Sequence, residues 1–376
     1  MNLLMLSGDA SVAQGREGAF YQMLRRFSAY WTRIDILCPP APGAVERVIH
    51  GNVFVHPSPW HKFAQPLFIN DKGGRLAKER PYALMTSHDF GFFYNGIGAA
   101  TLSGRTRIPY VSEIHHVEGY PQAVTARERL YRTIAIPYIR WAARRAAAFR
   151  TVNAIEVPEL LRRLGVPEEK ILVLPSLYID FDLFRPLPET PRQYDAVFVG
   201  RLVANKGLFT LLEAAARVQA RHPSFRLGML GQGPLESALR RRIAALGLEA
   251  NVSLLTQPLP APEVARFYNS GAMLICASTA EGGPRVTVEA MACGVPVIST
   301  PVGIMRELII DGDNGLLFHG NPEELATRIE QLLNDDALRH RLAERGRESV
   351  QIFEAESVIR RYAYGYYELI KRLGRD

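Results

Sequence analysis

Cysteine is scarce. Cys38, Cys276 and Cys293 are odd in number and far apart in 376 residues, which excludes a disulfide framework and a cysteine-based metal site. They read as reduced core thiols of a cytoplasmic protein. Long hydrophobic runs are missing too. A membrane-spanning helix needs about 18 apolar residues, and the nearest stretch, 133–149, is broken by Arg140, Arg144 and Arg145. The opening MNLLMLSGDA is short and lacks a basic start, so a secretory leader is not expected. There is no P-loop, HExxH, zinc spacing or GxSxG, and there are no internal repeats or low-complexity tracts. Lysine is rare, with only six among 45 basic residues, so the net charge of +7 is carried by arginine. Such a balance suits a polyanionic ligand, a nucleic acid or an anionic membrane face, and equally an ordinary soluble protein of high pI.

What is present is an α/β chain. Apolar residues make up 47% and charged residues 22%, as in ordinary globular proteins, and the length suggests about two domains of roughly 150 residues each. Apolar runs at Leu3–Leu6, Ile34–Leu37, Val53–Val55, Ala83–Thr86 and Pro109–Ile114 alternate with helical stretches. Residues 126–150 read as one long basic helix bearing Arg127, Arg129, Arg132, Arg140, Arg144, Arg145 and Arg150 among Tyr131 and Trp141. It fits either an anionic membrane surface or a sheet-packed helix with solvated arginines. Four prolines in 175–193 place a domain boundary near 188. Strands and helices then alternate again to a final tyrosine-rich helix.

The densest chemistry lies in 273–303, MLICASTAEGGPRVTVEAMACGVPVISTPVG. It reads as strand, loop, helix, strand, the unit of a parallel sheet. Ligands bind such sheets where a strand's carboxyl end meets a helix N-terminus, and the free N–H groups there suit phosphate. Glu281 precedes the expected helix, and Glu289 lies about one turn inside it. The segment therefore offers a phosphate seat between two hydroxyl acceptors, matching the diphosphate and flanking hydroxyl-bearing rings of a sugar nucleotide. A second loop, Gly200-Arg201-Leu202-Val203-Ala204-Asn205-Lys206-Gly207, follows another strand with two cations five residues apart. Arg provides a planar fork for phosphate oxygens and Lys a point charge. Gly231 and Gly233 follow a further strand and allow either close approach of a nucleotide or a tight turn. Gly15 and Gly18, after the first strand, allow the same two readings. His88 and His115 stand at strand ends in the first half, and His115 is a candidate for function. Asp180/Asp182 and Asp311/Asp313 have metal-binding spacing but sit in linker and turn contexts, so they read as structural.

Taken together, Gly200-Arg201…Lys206-Gly207, Glu281-Gly282-Gly283-Pro284-Arg285-Val286 through Glu289 and on to Ile298, and Glu307…Asp311-Gly312-Asp313-Asn314-Gly315 resemble glycosyltransferase family 4. The linker Asp180-Phe181-Asp182-Leu183-Phe184-Arg185-Pro186 extends the similarity to essentially the whole chain. The resemblance implies an α/β GT-B fold of two Rossmann-like parallel-sheet domains facing across a cleft. Residues 1–187 would form the acceptor-binding domain and 188–355 the nucleotide-sugar domain, with a C-terminal helix at about 356–376 crossing back to the first. It implies that Arg201 and Lys206 hold the diphosphate, that Glu289 binds the ribose, and that Glu281, Gly282 and Gly283 meet the transferred sugar. Pro284, Arg285, Val286, Gly200, Gly231 and Gly233 would line the donor. His115 would contact the sugar near the reacting carbon, and the Gly15–Gly18 loop would face the donor phosphates or the acceptor. Three positions depart from the family pattern: Ile304 after Gly303, Thr256, and Ala277-Ser278.

The implied activity is retaining transfer of a hexose-type sugar from a UDP- or GDP-sugar to a hydroxyl of a glycan, lipid-linked or small-molecule acceptor. No divalent metal or other cofactor is expected, and no nucleic-acid partner. The protein would be cytoplasmic, with peripheral contact at the inner membrane face through 126–150. Two other readings stand beside it. One is a sugar-nucleotide epimerase or phosphorylase on the same scaffold. The other is a non-catalytic basic binding protein, which leaves the Glu281/Glu289 and Arg201/Lys206 constellation unexplained.

Overall fold

A computed structural model describes residues 1–375. The chain forms two compact units. One comprises 1–118, 130–176 and the segment from Glu356 onward; the other comprises 119–129 and 177–355.

The first unit is built on eight strands: β1 (Asn2–Leu6), β2 (Arg33–Cys38), β3 (Arg47–Ile49), β4 (Val53–Pro57), β5 (Leu84–His88), β6 (Tyr110–Glu113), β7 (Ala148–Thr151) and β8 (Ile171–Val173). Their order is β3-β4-β2-β1-β5-β6-β7-β8. Only the β3–β4 pair is antiparallel. The central strands are buried along nearly their whole length, as expected of a parallel sheet covered by helices on both faces.

The second unit carries β9 (Ala196–Val199), β10 (Leu227–Leu230), β11 (Val252–Leu255), β12 (Leu274–Cys276), β13 (Val297–Ser299) and β14 (Leu316–Leu317). All pair in parallel, in the order β11-β10-β9-β12-β13-β14. Helices such as Leu208–Arg221 and Pro322–Asn334 cover the sheet. The second starts as its sequence indicates: the Asn321 side chain accepts from the Glu323 N–H, with Pro322 in the first turn. The fold is thus two parallel-sheet α/β units.

Two details differ from the sequence reading. The stretch 126–150 is not one helix. The helix is Ala126–Ala142, and 148–151 is a buried inner strand of the first sheet, β7, between β6 and β8. Four residues buried on both faces show no period-2 alternation, so the strand was hidden behind an alanine–arginine run. The proline-rich stretch, from which a boundary near 188 was read, packs within the second unit from Leu177 onward, because Leu177, Ile179 and Phe184 are buried in that unit's core. The C-terminal helix is Ala355–Arg372 and belongs almost wholly to the first unit; Asp376, its last expected residue, lies outside the described residues. All three cysteines are free and buried. Asp180 caps its own turn by accepting from the N–H groups of Asp182 and Leu183, and Asp311 pairs with Arg328.

Candidate functional site

In the second sheet the chain runs from β9 to β10 and β11 on one side, then returns to the other side for β12 and β13. The strand order therefore reverses between β9 and β12. Parallel sheets open a crevice at the strands' carboxyl ends at such a point. The loops flanking it are 200–207 after β9 and 277–284 after β12, the two that carry the sequence motifs.

These loops are tied together. The Thr279 N–H donates to Asn205 O at 2.8 Å, and Asn205 Nδ2 donates to Ala280 O at 3.0 Å. Gly207 has φ +62°, and a Cβ there would stand 2.0 Å from Ala277 O, so the approach requires glycine. Across this seam Lys206 Nζ pairs with the Glu281 carboxylate, with side chains 12% and 18% exposed. Ser278 Oγ donates to the same carboxylate oxygen at 3.3 Å. Two residues assigned to separate ligand groups from sequence are thus each other's partners here. Arg201 is exposed, and its guanidinium has no hydrogen-bond or ion-pair partner among the described residues.

Helix Arg285–Ala292 begins directly after Pro284, and its first N–H groups have no intrahelical acceptor. Glu289 lies one turn in and is buried. Its Oε1 accepts from Arg285 Nε at 2.8 Å and its Oε2 from Tyr268 Oη at 2.9 Å. Burial pushes the Glu289 carboxyl above the usual range, against the pull of Arg285 and Tyr268. The Arg285 guanidinium lies 4.9 Å from the Tyr178 ring centroid. Arg285 thus holds Glu289 in place, and Val286 packs against the core.

A third loop, after β13, supports the Gly282-Gly283 turn. Thr300 Oγ1 donates to Ser278 O at 2.5 Å, and the Ile304 N–H donates to Gly282 O at 3.2 Å. Gly303 has φ +50°, and a Cβ there would lie 2.4 Å from Gly282 O. Ile304 packs its Cγ2 3.3 Å from where a Gly283 Cβ would stand, so the departure from the family pattern at 304 is absorbed as packing. Gly231 and Gly233 have a similar explanation. Cβ atoms there would lie 1.8 Å from Gly200 O and 2.4 Å from Leu202 O. Their small size lets the 231–234 loop support the loop that bears Arg201.

In the first unit, the strand register aligns His88 with Glu113, and Glu113 with Arg150, at the carboxyl ends of β5, β6 and β7. Residues in one row of a sheet share a face. Arg150 Nη1 lies 3.3 Å from Glu113 Oε2, with both side chains almost fully buried. Glu113 Oε1 accepts from Tyr366 Oη, and from Tyr362 Oη at 2.9 Å, both on helix Ala355–Arg372. Arg150 also donates to Leu174 O and Pro175 O. Arg150 therefore belongs to the interior and leaves the surface set read from 126–150. Despite its burial, Glu113 is held well below the usual carboxylate range by Arg150 and His115. His115 sits beside this pair, its Nε2 3.7 Å from Glu113 Oε2 and its ring centroid 4.6 Å from that of His88. Burial, reinforced by Arg150, lowers the pKa of His115 against the pull of Glu113, and His88 is lowered to about 3. Both imidazoles are neutral at pH 7.

On the opposite face Asp89 accepts from Ser87 Oγ at 2.5 Å and from the hydroxyls of Ser112 and Tyr138. Burial raises its carboxyl to about 7. Gly15, at φ +79°, lies under the Arg47 guanidinium, whose Nε donates to Ala13 O at 3.0 Å. Gly18 caps helix Ala19–Phe27 in open space. The buried role of Arg150, and Tyr268 and the Asp89 cluster, were not read from the sequence. The one signal was Glu113 beside His115 at a strand end, a charge that needs a partner once buried.

Residues 180–349 match the family model described as glycosyl transferases group 1, and residues 17–176 match that of a glycosyl transferase 4-like domain. The chain belongs to the glycosyl transferases group 1 family. A D-inositol 3-phosphate glycosyltransferase of Pseudarthrobacter chlorophenolicus is 32% identical over 208 residues, covering 52% of this chain and 49% of its own. The chain thus spans about half the length of the curated relatives it matches. Among solved structures, sucrose-phosphate synthase from Thermosynechococcus elongatus matches with TM-score 0.81 at 20% identity, covering 99% of both chains. HepE of Anabaena, solved in complex with UDP and glucose, matches with TM-score 0.77 at 20% identity over 98% of this chain and all of its own. At that identity the family's GT-B fold is what the two structures share with this chain.

Proposed function

We propose that the protein is a retaining glycosyltransferase that moves a hexose-type sugar from a UDP- or GDP-sugar to a hydroxyl of a glycan, lipid-linked or small-molecule acceptor. One observation carries the reading: at the switch point of the second sheet, Lys206 and Glu281 meet across two loops, with the unpartnered Arg201 on one and Glu289 on the helix that follows the other. Family membership supports transfer of a glycosyl group, and the UDP bound by Anabaena HepE, a neighbour in fold, is in keeping with a uridine nucleotide.

In this reading the diphosphate takes Arg201 and Lys206, and Glu281, released from Lys206, accepts hydroxyls of the sugar. Each Glu289 oxygen keeps a lone pair beyond its protein partner, enough to receive ribose hydroxyls. The bond from the anomeric carbon to the phosphate oxygen breaks with its electron pair on phosphate, where the two cations and the helix start stabilise the growing charge. The acceptor oxygen bonds to the same face of that carbon, and its proton passes to the departing phosphate. Neutral His115 is assigned to the transferred sugar, and no divalent metal takes part. The acceptor-bearing surface includes the helix Ala126–Ala142 and Arg144 and Arg145 beyond it, as a peripheral contact with an anionic membrane. No helix among the described residues is long and apolar enough to cross one.

The test is thermal shift with UDP, GDP and ADP and their sugars, in EDTA and then in Mg²⁺. A shift with one nucleotide in EDTA, lost in Glu289→Ala, is expected. Absence of any shift from a folded sample overturns the reading. NMR of the product's anomeric configuration tests retention, and an inverted product removes the same-face step.

A further inference from the structure

The first unit exposes a run of aromatic side chains that touch one another. Phe63, 61% exposed, makes an edge contact with Tyr94 at 6.0 Å between centroids. Tyr94 stacks on Phe92 at 5.8 Å, and Phe92 meets Tyr131 edge-on at 5.3 Å. Trp60 and Leu67 are exposed nearby in sequence, at 40% and 67%. Scattered exposed apolar side chains are normal, but contiguous ones mark a binding surface.

Phe92 continues this face into a cavity of about 390 Å³ between helices Tyr94–Thr106 and Ala126–Ala142. Ile97, Ile134, Pro137, Tyr138 and Trp141 complete its wall. The volume is in the range of ligand sites, roughly 300–1,000 Å³, but those normally include several fixed polar groups. Here Tyr138 brings the wall's one hydroxyl, and it is already committed to Asp89. The cavity therefore offers few hydrogen-bonding groups to the hydroxyls of a sugar ring, and its apolar wall suits hydrocarbon.

One cation stands against its wall, and others lie close by in sequence. The Arg145 guanidinium lies 4.4 Å from the Trp141 ring centroid, and Arg140 and Arg144 are exposed without an acidic partner among the described residues. Lys62 adds a charge 5.4 Å from the Phe63 ring. Aromatic rings flanked by arginine and lysine match the boundary between acyl chains and anionic headgroups. Through Tyr138 and Asp89, the cavity wall also joins the strand end that carries His88, against which His115 packs.

We propose that this face of the first unit seats the hydrocarbon chain of an anionic, membrane-borne acceptor, with Phe63, Phe92 and Trp60 entering the bilayer boundary and Arg140, Arg144 and Arg145 meeting the headgroups. The word acceptor rests on the transferase reading; the lipid seat does not.

The test is flotation of the full chain with phosphatidylcholine vesicles, with and without phosphatidylglycerol, using chain-brominated phosphatidylcholine to quench tryptophan emission. The three tryptophans serve as internal reporters, because Trp31 is only 4% exposed and packs against Phe27 and Tyr367. Binding should be at least about tenfold stronger with the anionic lipid and weaken with salt. Phe63→Ser/Phe92→Ser should weaken it by about tenfold or more. Quenching should fall on Trp60 and Trp141 and vanish in Trp60→Phe/Trp141→Phe. No binding to anionic vesicles overturns the proposal. So does binding that the aromatic substitutions leave unchanged, or quenching that spares Trp141. Vesicle binding with Trp141 quenching in a protein that shows no nucleotide shift upholds the lipid seat while removing the transferase reading. A nucleotide shift without vesicle binding does the reverse.

Discussion

Lys206→Ala separates a working cation from a structural one. In the fold, Lys206 holds Glu281 at a site where both side chains keep some contact with water. Ion pairs with such access contribute little, about 0–1 kcal/mol. The Ser278 hydroxyl remains within 3.3 Å of the stranded carboxylate. The cost to stability is therefore set at about 1 kcal/mol, or about 2–4 °C in the melting temperature of a unit this size. The cost to chemistry is larger. A donor that faces charge only as the leaving group departs is worth roughly 10²–10³ in turnover, or about 2.7–4 kcal/mol. The assay is nucleotide release from the preferred sugar nucleotide, measured beside calorimetry on the same sample. The expected outcome is a large fall in turnover with a small fall in melting temperature. Turnover within tenfold of wild type refutes the role. So does a melting temperature lowered by much more than the pair allows, with activity tracking the folded fraction.

Arg150→Met should be destabilising by about 3–5 kcal/mol, because it leaves the Glu113 carboxylate buried without its counter-charge. Urea unfolding should show Arg150→Met/Glu113→Gln losing clearly less than the sum of the single variants, and additivity would sink the coupling. Asp89, raised to about 7 by burial, binds a proton in the fold that the unfolded chain releases near pH 4, so its contribution to stability falls as pH rises from about 4 to 7. His88, lowered to about 3, gives the opposite slope from about 3 to 6.5, so the measurement is the difference between wild type and Asp89→Asn. That difference should change steadily between pH 4 and 7 and stay flat above; a flat difference throughout would exclude the titration. Gly207→Ala puts a methyl 2.0 Å from Ala277 O in a left-handed backbone, and should abolish the nucleotide-dependent thermal shift. An unchanged shift would show that the two loops need not be locked together.

The second unit was legible because its signals are local. Strand, loop, helix and strand in 273–303 follow one another with glycine and proline at the turns, and both carboxylates fall inside that window. The first unit was less so. Arg150 looked like one more surface arginine, because its strand is four residues long and buried on both faces. Its partner Glu113 sits on the neighbouring strand, and the two tyrosines that complete the cluster come from the last helix. Nothing in sequence spacing marks contacts that far apart. The glycines at 231 and 233 were visible, but their cause was not: it is the backbone of another loop, at a distance no motif records.

The two acid–base pairs also show why burial, more than charge, separates the proposed site from the scaffold. Glu113 and Arg150 are almost wholly enclosed, and two tyrosine hydroxyls and two backbone carbonyls complete their hydrogen bonds. Moving either ion would strand the other in a medium of low polarizability, so this pair cannot exchange partners during a catalytic cycle. Lys206 and Glu281 have the same charges at a switch-point crevice where water still reaches both. Separating them costs little, and under the proposed function an incoming diphosphate would provide the lysine with a stronger partner while freeing the glutamate for hydroxyls. Under the same proposal the pair would hold both side chains near their working positions before the donor arrives, limiting the side-chain entropy lost on binding. Arg201, at the same crevice and without a side-chain partner among the described residues, adds a positive charge that under the proposed function an anionic ligand would neutralise.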